Sequence, residues 1–537
     1  MILAIDSGTT GCTCIVFDER AEPVGRAYGE LGQHFPQPGL VEHDAGEIWE
    51  LAQAVAGQAL TDAGVRPGEL AGVGITNQRE TVCVWDPSTG LPLHRAIVWQ
   101  DRRTTERCAQ LREAGLEELV RARTGLVLDP YFSATKIEWL LEHVEGLRER
   151  ALAGRAVFGT VDSWLLFKLT GLHLADASNA SRTMLYDIAS GRWDPELLEL
   201  FGVPERSLPE VRPSAGPFGV TLPDALHGHA APVSGVAGDQ QAALFGQACV
   251  DPGMGKNTYG TGSFVLLNAG FRAPPPAPGL LSTVAWGVGD ARGDSPPGSR
   301  GASAGGASPG PPPALSGDPP LGTPPAHSLT YALEALIFVT GAAVQWLRDG
   351  LGIIAHASES EALAASLPSN EQVYFVPALT GLGSPHWDPH ARGTIVGLTR
   401  GSTRAHLARA ALEAIAYQTV DAVRAMEAGT GIEPLRELRA DGGATANRWL
   451  MQFQADILGV PVLVPEVPET TALGAALLAG VGAGLWTFSD VRDGWRVRAR
   501  YEPCMSKDER ACLLAGWHGA LGRARSGGEG RRDAPGP

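Results

Sequence analysis

The sequence is poor in the features that mark secreted, zinc-structured or nucleic-acid-binding chains. Its seven cysteines are odd in number, scattered, and form no CxxC pair or zinc spacing, which excludes a disulfide framework and points to a reducing compartment. Basic residues are outnumbered, 43 Lys and Arg against 59 Asp and Glu, and the formal net charge of -16 argues against nucleic acid or an anionic membrane as the main partner. No GxxxxGK[ST] phosphate loop is present. The N-terminus lacks a basic flank and soon meets Asp6, so no signal peptide is expected and the cytoplasm is the expected location. Long apolar runs are also missing. The uncharged stretch from Thr470 to Ser489 is rich in Gly and Ala, and reads as a buried helix rather than an integral membrane segment.

What is present is the pattern of a large two-domain protein. At 537 residues the chain exceeds the size of one growing core. Ile2 to Ile5 and Cys12 to Phe17 read as paired strands, with Cys12, Cys14 and Val16 on one face. Ile48, Leu51, Ala52, Val55 and Ala59 mark a helix begun at Asp44 and ended near Gly64, and strands return at Ala71 to Thr76 and Val82 to Trp85. Paired strands that then receive helices predict a mixed sheet with helical cover, an α/β fold. The second half repeats the theme: Asn257 to Asn268 again sets a Gly/Thr turn before an apolar strand. A long helix follows Ser402 and closes at Gly429, and Leu435 to Ala440 leads into the glycine-rich Asp441 to Asn447. Two related halves facing each other would place a ligand in the cleft between them. Residues 290–327 are dominated by Pro, Gly, Ser and Ala and cannot pack a core, so a disordered insert is expected there, and a disordered tail over 518–537.

Three glycine-rich turns carry the first chemical hint. Gly8, Thr9 and Thr10 can present N–H groups and hydroxyls to phosphate oxygens, as backbone nests do, although a single such turn is ordinarily just a turn. Asp6, at the end of a buried strand beside that turn, needs solvent, a partner or a cation; it caps local N–H groups or faces Mg²⁺ on a nucleotide. Asp239 follows the apolar strand Val233 to Ala237 and reads as a helix N-cap, as a base accepting a hydroxyl proton, or as both. Arg79 and Glu80 offer the donors and acceptors that adjacent hydroxyls of a polyol require, or they form a solvated turn pair. Trp99, Tyr131 and Phe264 wall a carbon skeleton or simply fill the core.

Long strings then fix a resemblance. GITNQRET, IVWQDRRT, TGLVLDPYFSATKIEWLL, NASRTMLYDI, AGDQQAALFGQ, KNTYGTG, FVTGAAVQWLRD, LTGLGSPHWDP and DGGATANRWLMQFQADIL are similar to the FGGY carbohydrate kinase family, and within it to its glycerol-phosphorylating members. The match runs from about Ile2 to about Trp517. It implies two ribonuclease H-like, actin-like ATPase domains with an interdomain cleft, over 1–248 and 249–517. It implies ATP and Mg²⁺, with glycerol as acceptor, and a homodimer or homotetramer. Carried onto this sequence, the resemblance puts Thr9, Thr10, Gly11 and Thr13 at the first phosphate loop and Gly260 and Thr261 at the second. Gly341, Gln345, Gly443 and Asn447 fall at nucleotide-contacting positions. Arg79, Glu80, Trp99, Tyr131, Gln240 and Phe264 line the glycerol pocket, with Asp239 as general base and with Asp6 and Asp239 near the metal through water.

The chain departs from the family at Thr13, where an arginine is the common residue; weaker nucleotide binding is expected, by a contact worth about 1.5–3 kcal/mol. The region of Leu222 to Pro232 is short and has no arginine, so the sugar-bisphosphate inhibition of some family members is not expected. Two competing functions stay open on sequence grounds: a kinase for a pentulose or another polyol, and an ATP-gated binding module without an alcohol base.

Overall fold

The computed structural model describes residues 1–289, 328–428 and 431–526. The expected disordered insert, the helix-closing Gly429 and the tail beyond 526 lie outside the described residues.

Strand β1 (Ile2–Ser7) turns into the antiparallel β2 (Gly11–Phe17), and β3 (Pro23–Glu30) pairs with the far edge of β2. Alternation sends the two faces of this hairpin into different cores. Leu3, Ile5, Cys12, Cys14 and Val16 pack with helix α1 (Ala45–Asp62), whereas Ile2, Ala4, Ile15 and Phe17 pack on the opposite side. Asp44 caps α1 by accepting from the Gly46 and Glu47 N–H groups. Strands β4 (Gly72–Asn77) and β5 (Val233–Gly238) then run parallel to β1 in a five-stranded sheet ordered β5-β4-β1-β2-β3. Helix α2 (Asp239–Gly246) leaves directly from the end of β5.

The second sheet is built from β6 (Gly255–Tyr259), β7 (Ser263–Gly270), β8 (Leu281–Gly287) and β9 (Leu329–Ile337), followed by helix α3 (Gly341–Gln345) and the long α4 (Arg404–Glu427). It is completed by β10 (Leu438–Asp441), β11 (Val462–Pro465) and β12 (Val497–Tyr501), in the order β8-β9-β7-β6-β10-β11-β12. Five of its strands repeat the first sheet. Hairpin β6-β7 is antiparallel, β9 flanks β7 antiparallel, β10 lies parallel to β6, and β11 lies parallel to β10. This duplication is the expected pair of ribonuclease H-like domains, and it brings the Gly/Thr turns to equivalent ends of the two sheets.

One expectation gains a qualification and another needs correction. The stretch from Thr470 forms helix α5 (Thr470–Gly482), which comes from the second half of the chain yet packs on α2, β5, β4 and β1 of the first. Its lack of charge serves close backbone packing: a Cβ on Gly474 would collide with the Ala242 carbonyl. A cut near residue 248 therefore separates the sheets but not the packing. Among the described residues no helix is long and apolar enough to cross a membrane. The tail, too, is ordered well past residue 518. Helix α6 spans Lys507–Ala524 and buries Leu514, Trp517, Leu521 and Ala524, a three-four-three spacing that forms one apolar stripe despite the polar composition around it.

Candidate active site

Three loops leave the corresponding ends of the two sheets. In the first, the Gly8 N–H donates to the Gly11 carbonyl at 2.9 Å, and the Thr9 hydroxyl accepts the Trp99 indole N–H at 2.9 Å, while Thr10 is exposed. In the second, the Gly260 N–H donates to the Gly262 carbonyl at 2.8 Å; the carbonyls of Gly260 and Thr261 accept the N–H groups of Gly341 at 3.1 Å and Ala342 at 3.0 Å. This clamps the turn to the start of α3, commits the Gly341 N–H internally, and leaves Gln345 exposed one turn further on. In the third, Gly443 opens a short 3-10 turn, and the Asn447 side chain caps helix Arg448–Leu458 by accepting the Leu450 N–H at 2.9 Å.

Asp6 lies two residues before the Gly8 turn, and Asp239 is close enough for its charge to act on it. Burial, and after it the charge of Asp239, push the Asp6 carboxyl up to about 7. Asp239 is not the N-cap that its position after a strand suggested. Gly238 takes that place because the chain is still extended there, and Asp239 becomes the first helical residue, its Oδ1 accepting the Gln240 N–H at 2.7 Å. Gln240 is held in turn by Lys256, whose Nζ donates to Gln240 Oε1 at 2.5 Å and to Thr258 Oγ1 at 2.7 Å. Burial lowers the Lys256 ammonium to about 8.

Arg79 and Glu80 are neither solvated nor simply free for a substrate. Arg79 forks onto Glu334 of β9, Nη1 to Oε2 at 2.7 Å and Nη2 to Oε1 at 2.9 Å, and Nη1 also donates to Gln241 Oε1 at 3.2 Å. Its Nε lies 3.1 Å from Asp239 Oδ1. Three of five guanidinium N–H groups are thus spent in hydrogen bonds inside the protein and a fourth is turned to Asp239, because a buried cation must be neutralised; Arg79 has fewer donors for hydroxyls than the sequence suggested. Arg182 mirrors it, with Nε donating to Glu80 Oε1 at 2.7 Å and Nη2 to Glu334 Oε1 at 3.3 Å. Burial favours the neutral form of Glu334, but Arg182 and Arg79 outweigh it and hold the carboxyl at about 2. Glu80 sits at φ +61° in a tight turn where the Thr81 N–H reaches the Arg79 carbonyl at 2.7 Å, a conformation costly for a non-glycine residue and typical of functional sites.

The aromatic residues do come together. Trp99 and Tyr131 meet edge to face with ring centroids 5.4 Å apart, Arg79 lies 5.8 Å from the centre of Phe264, and Arg182 lies 5.9 Å from that of Tyr131. Contacts therefore connect Arg79, Glu80, Tyr131, Trp99, Phe264, Asp239, Gln240 and Thr9. Thr13 pairs with Asp6 across the first hairpin. Sequence reasoning did not single out Glu334, Arg182, Gln241 or Lys256. Glu334 left one signal, a lone acid inside the apolar strand Leu329–Ile337. A separate cavity of about 690 Å³, lined by Ile2, Leu473, Leu477, Trp486 and Trp495, lies away from these groups.

The N-terminal domain of the FGGY family of carbohydrate kinases matches residues 1–246 and its C-terminal domain matches residues 318–483. The chain belongs to the FGGY family of carbohydrate kinases. Its curated relatives include the glycerol kinase of Citrifermentans bemidjiense, 54% identical over 518 residues, 96% of this chain and 97% of that protein. The glycerol kinase of Deinococcus radiodurans is 51% identical over 527 residues, covering 98% of this chain and 97% of that one. Among solved structures, Plasmodium falciparum glycerol kinase with ADP superposes with a TM-score of 0.86 at 32% identity, covering 97% of this chain and 98% of that one. Xylulose kinase from Rhodospirillum rubrum gives 0.80 at 25% identity, covering 96% and 97%. This FGGY kinase thus shares its fold with kinases of more than one sugar or polyol.

Proposed function

We propose that the chain is a glycerol kinase, which transfers the γ-phosphoryl group of ATP to a terminal hydroxyl of glycerol, yielding sn-glycerol 3-phosphate and ADP as the first step of glycerol catabolism. The observation that carries this reading is one connected cluster: the carboxylate of Asp239, held by Arg79 and Gln240, beside the Trp99, Tyr131 and Phe264 wall and the Gly8 to Gly11 turn.

Glycerol lies along the aromatic wall, its hydroxyls on Glu80 and on what Arg79 has left to donate. Asp239 accepts the proton of the attacking hydroxyl as the new O–P bond forms, a step worth about 10²–10⁴ in rate when the base is well placed. Arg79 fixes that carboxylate through Nε, 3.1 Å from Oδ1. The donors of Thr9, Thr10 and Thr261, in turns that Gly11 and Gly260 shape, stabilise charge on the transferred group, which is most of what phosphoryl transfer asks of a protein. Thr13 lies along the same hairpin, and Gly341, Gln345, Gly443 and Asn447 hold the nucleotide. Apposition of the two domains excludes water from the site. The residues fit Mg²⁺: Asp6 and Asp239 are carboxylates close enough for the charge of one to act on the other, and they would hold the ion through water. When bound, the ion neutralises phosphate charge. A cytoplasmic dimer or tetramer belongs to the same reading, and sedimentation of the purified chain tests the assembly.

ADP release by the full chain with Mg²⁺-ATP, compared across glycerol, xylulose, gluconate and no acceptor, tests the assignment. Stimulation by glycerol alone is expected. Stimulation by xylulose without glycerol would identify a pentulose kinase, and turnover indifferent to every acceptor would favour the binding-module alternative.

A further inference from the structure

On one face of the first sheet the strand register sets Asp6, Thr13 and Tyr28 in a single row, because Asp6 pairs with Thr13 and Thr13 with Tyr28. Away from the loops, that face is covered by α2 and α5 over Ile2, Ala4, Ile15 and Phe17. At the loop end the cover stops, and Tyr28 is 54% exposed.

The Tyr28 side chain is nevertheless not splayed away from the turn. A Cβ built on Gly11 would stand 2.7 Å from the Tyr28 hydroxyl and 2.8 Å from its Cε2. The ring therefore lies across Gly11, the residue that closes the Gly8 to Gly11 turn, and glycine is what leaves it room. The hydroxyl has no hydrogen bond to protein among the described residues and lies on a half-exposed side chain, where a ligand can reach it. Arg26, a cation diagonal to Thr13 on the same face, is held by Glu469 at 2.9 Å. A neutral, unspent donor thus lies beside a turn whose remaining groups suit phosphate oxygens.

We propose that Tyr28 is a nucleotide-binding residue whose hydroxyl donates to a phosphate oxygen of ATP at the Gly8 to Gly11 turn, beside Thr13, which carries no charge for that task. The inference rests on reading this turn as a phosphate loop. It assigns a contact to β3, an edge strand that otherwise supplies nothing to the site.

Calorimetric titration of the full chain and of Tyr28→Phe with ATP and with adenosine, alongside steady-state kinetics, tests it. The expected result is about a three- to tenfold loss of ATP affinity in Tyr28→Phe, the range of one net hydrogen bond. Adenosine affinity, glycerol KM and thermal midpoint should stay at the wild-type values. Equal ATP affinity in the two proteins would overturn the proposal, as would an equal loss for adenosine, which marks a packing role. If the wild-type chain binds ATP no more tightly than adenosine, the phosphate-loop reading itself fails and the proposal falls with it.

Discussion

The two halves share a five-strand frame but not its chemistry. In the first, Asp6 stands two residues before its glycine turn; in the second, that place is Thr258, whose hydroxyl accepts the Lys256 ammonium. In the first, Asp239 opens the helix after the last parallel strand; in the second, Thr470 does, and it donates to Asp441 Oδ2 at 2.6 Å. Asp441 also takes Gln247 at 2.9 Å, so the acid of the second half is satisfied by protein hydrogen bonds. In the first half burial, and after it the charge of Asp239, presses Asp6 toward neutrality. Duplication supplied two equivalent frames whose acids are held differently: Asp441 by the neutral donors Thr470 and Gln247, Asp239 by Gln240 and the Arg79 guanidinium.

Exchanging chemistry between equivalent positions should break this asymmetry most visibly. Asp239→Asn is expected to lower kcat for glycerol-dependent ADP release by about 10²–10⁴, while Thr470→Val keeps kcat within the same order of magnitude. Similar losses in both would show the halves to be chemically equivalent after all.

The link between halves comes next. Glu334 belongs to the second sheet, yet it neutralises Arg79 and Arg182 of the first. Glu334→Ala leaves two buried guanidinium groups short of a partner and should cost about 3–5 kcal/mol in denaturant unfolding. Because the Glu334 carboxyl is held at about 2 against an ordinary 4.5, its stabilisation is fully present above pH 4.5 and lost as the pH falls through 2. Glu334→Gln should flatten the stability profile in that window. An unchanged slope would mean that Glu334 does not carry the acid sensitivity.

A smaller effect is expected at the seat of α5. Gly474→Ala forces a methyl group into the Ala242 carbonyl and should destabilise by about 1–3 kcal/mol, read as a lower thermal midpoint. An unaltered midpoint would show that α5 can shift and that the second half's grip on the first is loose. Smallest of all should be the removal of residues 290–327. Their flanks are already neighbours, since Gly287 pairs with Leu329 across β8 and β9, so kcat should not change. Lost activity would assign that segment a role.

The frame was legible because its signals are local. Alternation at Cys12, Cys14 and Val16, the Asp44 cap and the Gly/Thr turns are each set within a few residues, and each lies where the pattern placed it. The aromatic wall and Asp239 were nameable because they sit in long strings shared with one family. Glu334 was not, although it lies in one strand with a clear apolar pattern, because what makes it matter is two arginines more than 150 residues away in sequence. The end of the chain was misread for a similar reason: the stripe of α6 is sparse, and burial against the second core decides that it folds.

By itself the sequence determined the α/β class, the repeated hairpins and the family, because periodicity and turn chemistry are written residue by residue. The tertiary structure alone decided which groups remain available to a ligand. Burial forces Arg79 and Arg182 onto Glu334, satisfies Asp441 with Thr470 and Gln247, lays Tyr28 over Gly11, and leaves Asp6 within reach of the charge of Asp239. In a medium where an unpaired charge is costly, the distant neighbour, and not the residue type, settles whether a polar side chain holds the fold or meets a substrate.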